Sequence, residues 1–147
     1  MQEEETTRNF GAIMDRTLKL IKNNYLQTFR ELGLDITTEQ WVLLDRLAEG
    51  DGVSQTDLAN DSFKNAPTVS RIIELLRKKG LIEKKQSEDD RRQSLIYLSG
   101  KGKDYHQTAT PAVLALRRRG WQGLNEQDYT DFMRIMNQIG GNFTEED

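Results

Sequence analysis

The sequence predicts a mainly α-helical chain with a small β-wing, an α+β arrangement of the winged helix-turn-helix type. Between residues 54 and 80, apolar side chains recur at three- and four-residue spacing, as on helices. After Gly80 they fall in two short runs rich in β-branched and aromatic residues, as in strands. The charged turn SEDDRR separates these runs. Two short helices and a hairpin are therefore expected in this 147-residue chain, which has the length of one domain.

Residue types at the helix starts and ends support this division of the central segment. Ser54, with Asp57 three residues later, is expected to cap the first short helix, and Asn65 the second. Pro67 falls in the first turn of the second helix, where a missing N–H costs little, and Gly80 ends that helix. The buried stripe of the second helix is predicted to contain Val69, Ile72, Ile73 and Leu76. The polar side chains left off this stripe are those of Thr68, Ser70, Arg71 and Glu74.

The turn between the two strands carries Asp90, Arg91 and Arg92 near its end. One interpretation is a solvated turn held by its own salt bridges, because charged loops are common. The other is a hairpin tip that enters a DNA minor groove, where arginine is attracted by concentrated negative potential. Its place directly after a polar helix favours the second interpretation, since a groove-reading module needs both parts.

Charge is unevenly distributed along the chain. The whole sequence has 21 Lys and Arg against 24 Asp and Glu, a formal charge of −3. Residues 54–103 contain eleven Lys and Arg and seven Asp and Glu, so the acidic excess lies in the rest of the chain. Positive potential on one module suits contact with phosphates, and an acidic remainder limits non-specific association.

Long helices are predicted on both sides of this segment. The first runs from Thr7 to about Leu32 and carries an apolar stripe; we expect most of the stripe to be core and part of it to pack against a second subunit. Thr37, with Gln40 three residues on, is a capping box that starts the next helix. Trp41 follows, as a core residue or as the wall of a ligand cavity, with core favoured.

The C-terminal part is expected to form two more helices. Ser99 caps the first, which Pro111 should kink or distort. Asn125 caps the second, which we expect Gly140 and Gly141 to close. The apolar stripe of this last helix contains Tyr129, Phe132, Met133, Met136 and Ile139.

Several classes of protein are disfavoured by composition. The chain has no cysteine, so it has no disulfide framework and no cysteine-ligated zinc, and its one histidine, His106, is expected to be a surface or partly buried structural residue. An enzyme would need a nucleophile–base pair, a metal cluster or a phosphate loop, and we find none; no metal or cofactor is expected. No apolar run has membrane-spanning length and the N-terminus MQEEETT is acidic, so we expect a cytoplasmic protein without membrane contact.

The order of the elements resembles the MarR family of bacterial transcriptional regulators over nearly the whole chain. The most specific motif is KKGLIEKK followed by DDRRQSLIYLSGKG, which is similar to the family's recognition-helix end, wing and next helix start. Ser99 replaces the usual Thr, and the turn SFKN is less apolar than the family's. The resemblance implies a single MarR-type domain over residues 1–147. Its winged helix-turn-helix would span residues 37–98, with dimerisation helices at 7–34 and 99–143.

The resemblance also implies a homodimer that binds a pseudo-palindromic double-stranded DNA operator. Such dimers are often released by a small-molecule effector held between the dimerisation and DNA-binding parts, and the identity of that effector does not carry over. We expect base and groove contacts from the recognition helix through Asn65, Pro67, Thr68, Ser70 and Arg71. The wing would contribute Asp90, Arg91 and Arg92. Phosphate contacts are expected from Ser54, Gln55, Thr56 and Lys64. The alternative is a winged-helix protein-interaction module, although such a scaffold has no need of paired arginines at the wing tip.

Overall fold

The computed structural model describes residues 8–61 and 65–144. In these ranges the chain forms six α-helices and three short strands. In order they are α1 (Phe10–Glu31), α2 (Thr38–Glu49), β1 (Val53–Ser54), α3 (Gln55–Asp61), α4 (Ala66–Lys78), β2 (Ile82–Gln86), β3 (Ser94–Leu98), α5 (Gly100–Gly120) and α6 (Glu126–Phe143). The predicted mainly α fold with a β-wing is confirmed. The chain divides into two compact units, Met1–Leu114 and Ala115–Asp147.

The wing is a three-stranded antiparallel sheet in the order β1-β3-β2. In the hairpin, Ile82 pairs with Leu98 and Gln86 with Ser94, which fixes the register. The sequence predicted only the two hairpin strands. The third strand is β1, whose Val53 pairs with Ile96, and a two-residue strand is too short to show an alternating pattern.

The hydrophobic core lies in the first unit, between the helices and the inner face of the sheet. Its buried members come from α1 to α5, the sheet, and the connections that contain Leu34, Ile36 and Leu81. The largest fully buried side chains are Phe29, Leu43, Leu44, Leu47, Leu58, Ile72, Ile73, Leu76, Leu81, Ile96, Val69 and Val113. The predicted recognition-helix stripe is thus entirely buried, and this fixes which face of α4 points outward.

The predicted helix caps are confirmed by hydrogen bonds. In each, a side-chain oxygen accepts a backbone N–H three residues later, which satisfies a donor that the first helical turn leaves unpaired. The caps are Thr37 to Gln40 at 3.1 Å, Ser54 to Asp57 at 3.1 Å, Asn65 to Thr68 at 2.9 Å, Ser99 to Gly102 at 3.0 Å and Asn125 to Asp128 at 2.8 Å.

Two helix ends differ from the prediction. The first helix begins at Phe10, because the Asn9 side chain accepts the N–H of Ala12 and caps it; Thr7 lies outside the described residues. The last helix does not stop at Gly140 and Gly141 but continues to Phe143. Neither glycine has a positive backbone φ, so the left-handed geometry that ends many helices is absent there. Helix α5 runs continuously through Pro111.

Most of the apolar stripe of α1 is exposed, which makes the core interpretation of that stripe wrong for the single chain. Phe29 is buried and Tyr25 packs partly against the core. Phe10, Ile13 and Leu18 have exposed fractions of 49%, 63% and 49%. Among residues 8–61 and 65–144, nothing covers these three side chains on the N-terminal half of the helix.

The second unit contains the end of α5, a turn and α6. Trp121 packs edge-to-face against Tyr129 and Phe132, with ring centroids 5.7 and 5.9 Å apart. No residue of α6 is buried, and Tyr129, Phe132 and Ile135 are about half exposed. This unit therefore also presents an uncovered apolar surface.

Candidate nucleic-acid interface

Helix α4 turns the predicted contact residues outward. Its stripe of four buried side chains faces the core, so the opposite face must meet solvent. Asn65, Pro67, Ser70 and Arg71 are exposed, and Thr68 is half-buried. No carboxylate in the part of the chain that the structure describes pairs with Arg71. Its guanidinium is therefore available to an external acceptor.

A second arginine on the same helix is already engaged. Arg77 forms a two-pronged ion pair with Glu74, with Nη2 to Oε1 at 2.6 Å and Nε to Oε2 at 3.0 Å. The hydrogen bond from Arg77 lowers the pKa of Glu74, and the same bond raises the pKa of Arg77. Bidentate pairing holds both side chains in one geometry. Arg77 is thus less available for DNA than Arg71.

The wing tip is ordered by its own hydrogen bonds. The N–H of Ser87 donates to the carbonyl of Gln93 at 2.9 Å, and the N–H of Gln93 to the carbonyl of Asp90 at 3.0 Å. Gln86 Nε2 donates to the carbonyl of Arg91 at 2.7 Å. The tip is therefore a defined turn that can present its arginines in a fixed direction.

Within that turn, Asp90 holds the backbone and reaches toward the guanidinium of Arg92. Its Oδ1 accepts the backbone N–H of Arg92 at 3.0 Å, the pattern of an Asx turn. The same oxygen lies 3.9 Å from Nε of Arg92, whose side chain is 96% exposed. Asp90 therefore fixes the backbone of the turn and places its carboxylate near the guanidinium of Arg92.

A cleft of about 270 Å³ brings the wing together with the starts of α3 and α4. Three of the predicted phosphate contacts line it with the wing arginine: the lining residues are Ser54, Gln55, Thr56, Ala66, Arg92, Gln93 and Ser94. Ser54 is only 8% exposed, and its hydroxyl caps α3 by accepting the N–H of Asp57. Ser54 therefore has a structural role whether or not it contacts DNA. Lys64 lies outside the described residues. Arg71 is not part of the cleft's lining.

The sequence prediction missed two basic residues of the wing, Lys84 and Lys85. Both are exposed on β2, and the Lys85 ammonium lies 4.9 Å from the ring centroid of Tyr97. Lys84 is close enough to Glu74 of α4 to contribute to its lowered pKa. The two consecutive lysines in a predicted strand were the available signal, since neighbouring residues of a strand point to opposite faces.

A second cleft, of about 320 Å³, lies between the end of α2 and the first turns of α5. Leu47, Ala48 and Leu98 form its apolar part, and Lys103, His106 and Gln107 supply polar groups. His106 Nε2 lies 2.8 Å from Oδ1 of Asp45.

The ring of His106 stacks on Trp41, with centroids 5.0 Å apart. His106 is thus the partly buried structural residue that the sequence predicted. Trp41 is 4% exposed, which confirms the core interpretation for this tryptophan.

Among residues 8–61 and 65–144, no group of three His, Asp or Glu side chains is arranged to hold a metal ion. None of the described helices is long and apolar enough to cross a membrane.

Comparison with known proteins agrees with this geometry. Residues 34–93 match a family model described as MarR family. A Bacillus subtilis (strain 168) protein named "Uncharacterized HTH-type transcriptional regulator YdcH" is 36% identical over 83 residues, 54% of this chain and 56% of that protein. The match thus spans just over half of the length of that relative.

Solved structures share the fold over nearly the whole chain. A chain of the S. aureus MepR–DNA complex has a TM-score of 0.83 at 22% identity, with 92% of this chain and 98% of that chain covered. The Streptomyces coelicolor regulator PcaV, in complex with its natural ligand, has a TM-score of 0.79 at 17% identity, with 92% and 94% covered. Residues 34–93 are thus similar to the MarR family, and the chain shares its fold with both of these solved structures.

Proposed function

We propose that this protein is a sequence-specific DNA-binding transcriptional regulator, without catalytic activity, that acts in the cytoplasm as a repressor. The observation that carries the proposal is the outward face of α4, with exposed Ser70 and Arg71, beside an ordered wing tip with exposed Arg91 and Arg92. A helix that enters the major groove and a basic hairpin that enters the minor groove can together recognise a DNA sequence. The solved MepR–DNA complex, which shares the fold, supports the same use.

The proposal includes a homodimer. α1 and α6 each expose apolar side chains that a single chain leaves uncovered, among them Ile13 and Phe132 with exposed fractions of 63% and 46%. Contiguous exposed apolar surface marks interfaces in soluble proteins, and a two-fold symmetric contact would cover the same surfaces on both copies. Two recognition helices related by this symmetry suit a pseudo-palindromic operator.

A small-molecule effector is the third part of the proposal. The cleft between α2 and α5 combines an apolar wall with the polar groups of Lys103, His106 and Gln107, the composition typical of ligand sites. A ligand bound there would contact α2, which packs on α4, as well as α5. PcaV, which shares the fold, is known in complex with a natural ligand.

The test is a binding titration with DNA from upstream of the protein's own gene and a shuffled fragment of equal length and composition. We expect specific binding to the upstream fragment, tighter by the factor of about 10³ or more that separates specific from non-specific binding. A double variant, Arg71→Ala with Arg92→Ala, should lose this preference. Equal affinity for both fragments, or no binding, would instead favour a protein-interaction module.

A further inference from the structure

The C-terminal end of α4 is tied to a distant part of the chain by one ammonium group. Lys79 caps the helix, and its Nζ donates to the backbone oxygen of Asp35 at 2.8 Å and to Oε1 of Gln40 at 2.9 Å. The carboxylate of Asp35 lies 3.7 Å away. All three acceptors belong to the α1–α2 connection and the first turn of α2. The ammonium therefore joins the C-terminal end of α4 to the start of α2.

The acceptor on Gln40 is itself fixed. Gln40 is 3% exposed, and its Oε1 also accepts the N–H of Thr37 at 3.2 Å, which completes the capping box of α2. A buried amide oxygen that accepts two hydrogen bonds has little freedom to move. Lys79 is thus anchored to a rigid point, and an ammonium with several oxygen acceptors avoids the cost of leaving donors unpaired.

The first turn of α5 holds the same end of α4 from another side. Lys101 Nζ donates to the backbone oxygen of Lys79 at 2.9 Å, and the hydroxyl of Ser99 donates to the oxygen of Gly80 at 2.6 Å. A Cβ at Gly102 would overlap the backbone oxygen of Leu81, so the glycine permits this close approach. The carbonyls of Lys79 and Gly80, which directly follow α4, are therefore bound by the first turn of α5 and its cap.

A small change in the tilt of α4 about its C-terminal end moves its N-terminal end by a large distance. A helix of 13 residues is about 20 Å long at ~1.5 Å per residue, so a tilt of roughly 5° about its C-terminal end moves its first turn by roughly 1.7 Å. Hydrogen bonds to base edges tolerate much less, because useful donor–acceptor distances span only about 0.5 Å. The contacts of Lys79 and Lys101 are thus placed where they can decide whether α4 fits the groove.

We propose that Lys79, assisted by Lys101, is a positioning residue for DNA reading: it fixes the tilt of α4 and is not a phosphate contact. This inference rests on the proposed function for its effect on operator recognition, but it also makes a claim about the free protein. Removing the ammonium should change the placement of α4 whether or not DNA is present.

The first measurement compares Lys79→Met with Lys78→Met. Lys78 is the preceding residue and is exposed, and its ammonium makes no hydrogen bond with the residues that the structure describes. Both variants remove one charge at the helix end. For Lys79→Met we expect a loss of about tenfold in the ratio of operator to random-DNA affinity, the size of one lost base contact, with an unchanged salt dependence. Lys78→Met should weaken both DNAs alike and leave the ratio unchanged.

The second measurement needs no DNA. The chain has no cysteine, so spin labels can be attached to introduced cysteines at two exposed positions, Val42 on α2 and Ser70 on α4. Mixing with an excess of unlabelled protein leaves only distances within one chain. Double electron–electron resonance between the two labels should show a shifted or broader distance distribution for Lys79→Met. For Lys78→Met it should show the same distribution as for the labelled protein without either change.

The two measurements separate the failure of this inference from the failure of the proposed function. If the unmodified protein does not distinguish operator from random DNA, the proposed function is wrong, and the distance distribution alone decides the role of Lys79. An unchanged distribution in Lys79→Met overturns the inference. If Lys79→Met does not fold, both measurements are made on Lys101→Met, which changes a surface residue. An unchanged distance distribution in Lys101→Met would also overturn the inference.

Discussion

Oδ1 of Asp90 accepts the backbone N–H of Arg92 at 3.0 Å and lies 3.9 Å from Nε of the same arginine. One carboxylate thus fixes the backbone of the turn and lies close to the guanidinium that follows it. The ion pair is exposed, so it adds little stability by itself. Its value would lie in holding Arg92 ready, because a side chain that is already ordered loses less entropy on binding.

We predict that Asp90→Ala weakens operator binding by roughly three- to tenfold, the effect of one hydrogen bond of about 1 kcal/mol. A simple electrostatic argument gives the opposite sign, because the change removes a negative charge near DNA. Affinity at matched salt distinguishes the two.

Asp90→Asn is the matched control, since it keeps the oxygen that accepts the N–H of Arg92 and removes only the charge. It should bind at least as well as Asp90→Ala and close to the unmodified protein. Tighter binding by Asp90→Ala would mean that the wing arginines act only as mobile counter-charges.

Arg92→Lys should weaken binding, and the loss should be larger on operators with A·T-rich flanks than on G·C-rich ones. A·T-rich DNA has a narrow minor groove with stronger negative potential, and an ammonium loses its water less readily than a guanidinium. Titrations of both proteins against the two operators measure the difference. An equal loss on both flanks would place Arg92 outside the minor groove.

Arg71→Ala should relax sequence preference by ~1–3 kcal/mol at one base pair, because Arg71 is the exposed arginine of α4 best placed for a bidentate guanine contact. Affinities for a set of single-base operator variants give this value. Arg91→Ala serves as the comparison, because we expect Arg91 to contact a phosphate. The loss of a phosphate contact weakens binding to all sequences alike. If Arg71→Ala shows the same uniform loss, Arg71 is also a phosphate contact.

Glu74→Gln should strengthen DNA binding and steepen its salt dependence by about one ion, because it frees the guanidinium of Arg77 for a phosphate. The control is Glu83→Gln, which removes an equal charge from the exposed side of β2 but releases no arginine. Equal slopes for the two variants would contradict the prediction.

The ion pair of Glu74 and Arg77 also sets a pH dependence. Hydrogen bonding to Arg77 lowers the pKa of Glu74 from its ordinary value of 4.5. The contribution of the pair to stability is therefore present above that value and is lost as the pH falls through the lowered pKa. The pair is intact at neutral pH, where the binding assays are made. Thermal unfolding between pH 3 and 7 of Glu74→Gln and the unmodified protein, at roughly 1-unit steps, checks this direction.

Light scattering should give twice the 17.0 kDa mass of the chain at micromolar concentration. Ile13→Asp on α1 should shift the protein toward the monomer, because it places a charge in an apolar contact. Val42→Asp, at a similarly exposed apolar position on α2, should leave the mass unchanged. A monomer for the unmodified protein would refute the homodimer and its recognition-helix spacing of about 34–36 Å.

Local sequence specifies where most helices begin and which face of α4 is buried. A cap depends on residues three apart, such as Thr37 with Gln40 or Asn65 with Thr68, so the local sequence contains everything that it requires. The buried stripe of α4 is similarly readable, because helical spacing places its four apolar side chains on one face. The outward position of Arg71 follows from that stripe.

Tertiary structure alone decided the features that depend on residues far apart in the chain. Strand β1 exists because Val53 pairs with Ile96, and the α1 stripe is exposed because the core ends near Tyr25. Lys79 could be read from the sequence only as a cation at a helix end. Its acceptors on Gln40 and Asp35 are 39 and 44 residues away, and no local rule of spacing or propensity specifies which distant backbone oxygen a flexible ammonium will reach.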